Sequence, residues 1–232
     1  RVGGLDVAGP GKDQTVCTIL DGPNMSNSYK MKRIITPEIV GNVRSFIEEE
    51  RLLGLAVDYG YDPGVSNWLE WEGMPVVKVD FGKGDFNHVK YENRGTYIWA
   101  LLRDAFMRDG IGIIDDPVLV YQLSSRKIER LPSGKIKLQS KKKSGQKSPD
   151  EADALALAWY MRMLTVGMDD SFMAGGETNA SRVDSEIGRS KGMPERDEKR
   201  KGRDENSSGE SLDDFAVFGS EAGLIESEIG AS

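Results

Sequence analysis

The amino-acid sequence predicts an α/β fold, a mixed sheet with helices packed on it. Three observations carry that prediction. The chain opens with three short runs of strand character joined by Gly/Pro turns. Helix-period and strand-period segments then alternate up to about residue 165. Beyond Gly167 the periodicity stops, which confines the fold to residues 1–167.

The elements follow in order. Val2 to Ala8 is a short apolar strand closed by the turn Gly9-Pro10-Gly11-Lys12-Asp13. Gln14 to Leu20 and Tyr29 to Thr36 are rich in β-branched and apolar residues, paired antiparallel through Gly22-Pro23-Asn24. Pro37 suits the first turn of a helix in which Ile39, Val40, Val43, Phe46, Ile47 and Leu53 recur at helical spacing. Leu55 to Tyr59 is a fourth strand ended by Gly60; a helix carrying Trp68 and Trp71 follows, then a fifth strand from Val76 to Phe81. Residues 91–109 are amphipathic, with Tyr97, Ile98, Leu101, Leu102 and Phe106 on one face. Lys127 to Leu131 and Lys135 to Leu138 alternate around Pro132-Ser133-Gly134, a β-hairpin pattern with one charged face. Ser148-Pro149-Asp150-Glu151 reads as a helix start, with Ser148 at the N-cap and Glu151 closing a capping box, and the helix runs to about Leu164. Cys17 and the Trp68/Trp71 pair read as packing residues, and His88 as a surface loop residue.

Thirty-one basic against 38 acidic side chains give a net charge of −7, which taken whole argues against a nucleic-acid partner. The charge is unevenly distributed. Residues 168–232 hold 16 acids and 8 bases, while residues 1–167 hold 22 acids and 23 bases. Within the latter, residues 126–147 collect nine bases (Arg126, Lys127, Arg130, Lys135, Lys137, Lys141, Lys142, Lys143 and Lys147) against one acid, Glu129. Edge protection of a hairpin needs fewer lysines than that, so the segment is expected to track a phosphate backbone. No aromatic residue lies between Arg126 and Lys147, so base stacking is not expected.

Residues 168–232 are expected to form a flexible acidic tail, with Leu212, Phe215, Val217, Phe218, Leu224, Ile225 and Ile229 returning near its end. A solvated terminus and a short partner-binding motif near 212–229 both fit that composition. One cysteine excludes a disulfide framework, and one histidine excludes any site built on two imidazoles. No apolar run reaches the roughly 18–20 residues of a membrane span. A first residue that is Arg1, running straight into a strand, suggests a fragment of a longer chain.

Asp6 sits inside the apolar strand pattern Val2 to Ala8 and Asp58 ends the pattern Leu55 to Asp58, in strands where aspartate is disfavoured. Asp150 and Asp153 lie three apart at the start of the last helix and project from one face. Any one of them reads as a turn or capping residue. Together, with one His and one Cys in the chain, they suit hard divalent cations and two-ion phosphodiester chemistry. Asp80, ending the fifth strand, is read as structural or supporting, and Asp13 as a turn residue. Gly9-Pro10-Gly11-Lys12 lacks the spacing of a phosphate-binding loop.

Gly4-Leu5-Asp6-Val7-Ala8-Gly9-x-Gly11-x-Asp13-x-Thr15 resembles the first motif of the nuclease domain of tailed-phage large terminase subunits. Val57-Asp58-Tyr59-Gly60 with Pro63-Gly64-Val65 is similar to the family's second acidic strand, and the basic hairpin leading into Lys147-Ser148-Pro149-Asp150-Glu151-Ala152-Asp153 to its third motif. The resemblance covers about residues 1–165. It implies an RNase H-like fold with the first three strands antiparallel and helices on both faces. It implies an endonuclease, using Mg²⁺ or Mn²⁺ as two ions, that cuts double-stranded concatemeric DNA during genome packaging to leave a 5′-phosphate and a 3′-hydroxyl. The catalytic positions carry over as Asp6, Asp58 and Asp153, with Asp150 a further metal ligand; which of Asp150 and Asp153 binds more directly stays open. The implied partners are the portal, the small terminase subunit and an N-terminal packaging ATPase, in the host cell cytoplasm and transiently at the procapsid portal, with no place in the mature virion. A Holliday-junction resolvase, a ribonuclease H proper, and a DNA- or portal-docking module without turnover are the competing readings. An actin-type ATPase needs a longer ordered chain.

Overall fold

Strand pairing makes one five-stranded sheet. β1 (Val2–Asp6), β2 (Gln14–Asp21) and β3 (Asn24–Lys32) pair antiparallel; β4 (Leu55–Asp58) and β5 (Val76–Val79) add in parallel, giving the order β3-β2-β1-β4-β5. The helices are α1 (Thr36–Glu49), α2 (Pro63–Trp71), α3 (Arg94–Arg108), α4 (Pro117–Ser125) and α5 (Asp150–Val166), and a separate hairpin is formed by β6 (Ile128–Arg130) and β7 (Ile136–Leu138). This is the RNase H-like α/β arrangement expected from the sequence. The computed structural model describes residues 1–9, 13–60, 62–84, 89–108, 110–139 and 147–167, so His88, Lys141, Lys142, Lys143 and the acidic tail lie outside the described residues. Arg1–Arg162 fall in one compact unit; of a second, starting at Met163, only the end of α5 is described. No described helix is long and apolar enough to cross a membrane.

Period-2 alternation gives β1 two different faces. Leu5 and Val7 enter a core with Cys17, Ile19, Leu55 and Val57, closed by Ile39, Val40, Val43 and Ile47 of α1 and Val65 and Leu69 of α2. Cys17 is fully buried there, as expected, and burial pushes its thiol up to about 12. Gly4 and Asp6 alternate with Leu5 and take the opposite face, where α5 lies. A Cβ added to Gly4 would stand 2.2 Å from both the Ala154 carbonyl oxygen and the Ala158 nitrogen, so only glycine admits the helix at this depth. Ala152, Ala154, Ala156 and Ala158 are fully buried, and every residue from Asp150 to Met161 is buried. Such a helix is enclosed on all sides.

Three side chains from other elements fix where α5 begins. Gln122 of α4 accepts from the Glu151 and Ala152 backbone N–H groups at 3.0 Å each. The Gln14 N–H donates to Asp150 Oδ2 (3.0 Å), and the Gln14 side chain donates to Glu151 Oε1 (3.2 Å). Lys30 of β3 sits between Asp116 (2.6 Å) and Glu151 (2.8 Å). Burial opposes the charge on Lys30, but these two carboxylates outweigh it and raise its pKa; the Lys30 hydrogen bond in turn lowers that of Asp116. The capping-box pattern has Glu151 reaching back to Ser148. Its carboxylate goes to Gln14 and Lys30 instead, because the helix start is buried against β2 and β3 and a charge there needs a cation.

Four expectations need correction. β3 starts at Asn24, five residues early: polar Asn24, Ser26, Asn27 and Ser28 disguise it, and a register shift at Ile19/Leu20 accommodates them. Leu53 is 67% exposed, because α1 ends at Glu49 and Arg51 turns the chain at φ 51°, which hands the core position to Leu52. Trp68 and Trp71 are 41% and 83% exposed, since Val65 and Leu69 form the buried stripe of a nine-residue helix. The helix α4 has no counterpart among the elements expected from the sequence. Its start is capped by Asp116, which accepts from the Val118 N–H at 2.8 Å.

Three substitutions test these contacts. Gly4→Ala is expected to destabilise the chain by about 3 kcal/mol or more in urea titration, the upper end of overpacking, since backbone cannot yield. Gly3→Ala meets the flexible Leu55 Cδ1 at 2.7 Å and is expected to cost clearly less by the same measurement. Lys30→Met leaves Glu151 buried without its cation and is expected to cost about 1–3 kcal/mol near neutral pH. Because the folded Asp116 value is depressed, its contribution is full above the ordinary 3.8 and is lost as pH falls through the folded value; stability-versus-pH curves of parent and variant are therefore expected to converge in acid.

Candidate metal and DNA site

Parallel register places the acids. Leu5 of β1 is level with Val57 of β4, and Asp58 is level with Val79 of β5, so Asp6, Asp58 and Asp80 follow at the carboxyl ends of three adjacent parallel strands. Ligand crevices of open α/β sheets lie at that edge. Asp6 shares the Gly4 face of β1, on which α5 brings Asp150 and Asp153. Asp6, Asp150 and Asp153 are 8%, 6% and 4% exposed. Carboxylates this buried need donors or cations to offset lost hydration.

Backbone and indole N–H groups hold Asp58, Asp80, Asp150 and Asp153. Asp58 accepts from the Gly60 N–H (3.1 Å) and Asp80 from the Gly82 N–H (2.9 Å), two successive Asx-type turns. Asp150 accepts from the Gln14 N–H. Asp153, whose backbone N–H is engaged by the Pro149 carbonyl, accepts the Trp99 indole N–H at 2.8 Å. Among the described residues no three His, Cys, Asp or Glu side chains converge as a metal-holding group. Asp58 and Asp80 do face one space: a Cβ on Gly60 would lie 3.4 Å from Asp58 Oδ1 and 3.6 Å from Asp80 Oδ1. That cradle, open because residue 60 is glycine, and an all-oxygen donor set fit a hard divalent cation. Asp80 thus stands beside Asp58 at Gly60. The available signal was its position one residue past a strand level with Asp58.

The basic hairpin forms as expected, with Ile128 opposite Leu138, Glu129 opposite Lys137, and Gly134 at φ 81° in the turn. Ile128, Ile136 and Leu138 share one face, and Lys137 and Glu129 the other. β7 docks on the start of α3 and the segment before it: Ile136 N–H donates to the Lys90 carbonyl, Glu92 N–H to the Ile136 carbonyl, and Leu138 N–H to Thr96 Oγ1. Gly95 N–H donates to the Phe81 carbonyl, so this segment also abuts the chain leaving Asp80. Lys90, not singled out in the sequence, joins the basic surface and lies over the Tyr91 ring at 5.1 Å. Arg130 and Lys147 are exposed, and Lys127, Lys135 and Lys137 half-buried. Lys135 lies 3.5 Å from Glu92.

Arg126 stands apart from the other bases. It is 9% exposed, with its guanidinium over the Trp99 ring at 5.7 Å and Nη1 donating to the Gln139 carbonyl at 3.0 Å. Its Nε has no hydrogen-bond partner among the described residues. Burial lowers its pKa, and the charge of Asp153 opposes that shift. Desolvating such a cation costs several kcal/mol, while stacking on an indole returns about 0.5–2 kcal/mol. Asp153, across the indole, supplies the compensating charge.

No protein-family model and no curated protein matches the chain. Solved structures do. The nuclease domain of the large terminase subunit gp2 of bacterial virus Sf6 superimposes with a TM-score of 0.59 at 15% identity, covering 68% of this chain and 86% of that one. A variant of the Sf6 domain with manganese gives 0.58 at 15%, covering 68% and 87%. The large terminase nuclease from thermophilic phage G20c with bound magnesium gives 0.55 at 15%, covering 68% and 79%. At such identities the likeness is one of fold, and the chain has the fold of phage large-terminase nuclease domains.

Proposed function

We propose that residues 1–167 form a divalent-metal-dependent DNA endonuclease, the nuclease domain of a phage packaging motor's large terminase subunit, acting on double-stranded concatemeric DNA. One observation carries the reading: strand-end acids of β1 and β4 and paired acids of α5 share one sheet face and edge, within a fold that metal-bearing terminase nucleases also have. Asp6, Asp58 and Asp153, with Asp150, are assigned as holders of Mg²⁺ or Mn²⁺, and Asp80 flanks Asp58. Two bound divalent ions supply charge stabilisation to the attacking and leaving oxygens of a phosphodiester. The chain's own part is to hold the carboxylates at fixed depth and the duplex beside them. Lys127, Arg130, Lys135, Lys137 and Lys147, with the run Lys141 to Lys143, are assigned to the phosphate backbone. The wider motor, with its portal, small subunit and ATPase, belongs to the same proposal.

A DNA- or portal-docking module without turnover is the second reading, favoured by the separate protein donors that hold Asp58, Asp150 and Asp153. Asp6→Asn decides between them. With the fold retained by circular dichroism, nicking of supercoiled plasmid in Mn²⁺ is expected to fall about a hundredfold or more. Equal cutting by variant and parent would remove Asp6 from the chemistry, and a parent that binds DNA without cutting in any divalent metal would establish the docking reading. For the hairpin, replacing Lys127, Lys135 and Lys137 by Ala is expected to flatten the plot of log affinity against log salt by about 0.9 for each phosphate no longer neutralised. Fluorescence anisotropy with duplexes of unrelated sequence checks that the weakening is uniform.

A further inference from the structure

We infer that Trp99 and Arg126 are positioning residues for Asp153, linking the orientation of its carboxylate to the base of the basic hairpin. The inference rests on the nuclease reading, in which Asp153 holds a metal ion. Asp58 and Asp150 take their fixed orientation from backbone N–H groups. Asp153 stands in the first turn of α5, where the Glu151 and Ala152 N–H groups go to Gln122 and its own N–H to the Pro149 carbonyl, and its carboxylate takes a side-chain donor: the Trp99 indole N–H, 2.8 Å from Oδ1. The indole is rigid and 1% exposed, so its N–H restrains the orientation of the carboxylate. Metal ligands need that orientation held within about 10–20°.

Arg126 fixes the indole in turn. Its guanidinium covers the ring, and Nη1 is anchored to the Gln139 carbonyl. Gln139 N–H donates to the Lys127 carbonyl at 3.0 Å, which closes the hairpin at its base. A contiguous path therefore runs from the hairpin base through Arg126 and Trp99 to Asp153. A duplex drawing on the hairpin acts at the same point that holds Asp153.

The test uses the 232-residue chain, with Trp99→Phe, Arg126→Lys and Arg126→Met, folding checked by circular dichroism and Tm. Mn²⁺ binding is read by electron paramagnetic resonance, duplex affinity by anisotropy without metal, and plasmid nicking as kcat and KM. Trp99→Phe keeps a ring but loses the donor. It is expected to weaken Mn²⁺ binding about 10- to 100-fold and to lower kcat by a similar factor, with KM for DNA and metal-free duplex affinity within twofold of the parent. Arg126→Lys keeps charge without the planar stack and is expected to fall between parent and Arg126→Met. If Trp99→Phe fails to fold, the Arg126 pair decides. Folded variants with parental Mn²⁺ affinity and kcat would overturn the inference alone. A parent that neither binds Mn²⁺ nor cuts would overturn the nuclease reading and this inference with it.

Discussion

The backbone of α5 lies directly on Gly4, with no side chain between them, and the site depends on that contact. A Cβ on Gly4 would overlap the helix backbone, so glycine sets the depth at which the helix crosses β1. Asp6 is the next residue on that face of β1, and Asp150 and Asp153 open the helix laid across it. A helix held further off would carry its acids away from the strand ends. The alanines of α5 serve the same end, because small side chains let the helix pack flush on the sheet.

Close packing creates the electrostatic problem that the surrounding residues solve. Bringing acids to one edge costs hydration, and Asp58, Asp150 and Asp153 recover it locally, from the Gly60 N–H, the Gln14 N–H and the Trp99 indole. Glu151 at the same helix start is offset by Lys30, and Arg126 stands across the indole from Asp153. Cations thus stand beside the acids as well as on the hairpin: Lys30 meets Glu151, and Arg126 lies over the indole that donates to Asp153.

Much of the architecture was legible in the sequence because strong local patterns carried it. The Leu5/Asp6 alternation, the Pro132-Ser133-Gly134 turn and the helix start near Asp150 each follow from period or turn chemistry. Errors arose where local pattern and tertiary context disagree. The polar run Asn24 to Ser28 has little strand character yet pairs along β2, because the partner strand supplies the hydrogen bonds. Trp68 and Trp71 look like core residues by type, but a short helix has room for only one buried stripe, and Val65 and Leu69 occupy it. Arg126 reads as one more base in a basic segment, and only the packing turns its guanidinium inward.

By itself the sequence determined the kinds of group present: hard oxygen donors at strand ends and a helix start, a concentrated basic segment, and an acidity that belongs to residues 168–232. A net charge of −7 therefore said little about the partner. Tertiary structure alone decided which groups meet. Asp80 joins Asp58 at the Gly60 cradle, Trp99 reaches Asp153 from 54 residues away, and Gln122 of a helix absent from the sequence pattern caps α5. These contacts arise from strand register and from the depth of helix packing, and both are set by many distant residues at once, so no local stretch of sequence encodes them.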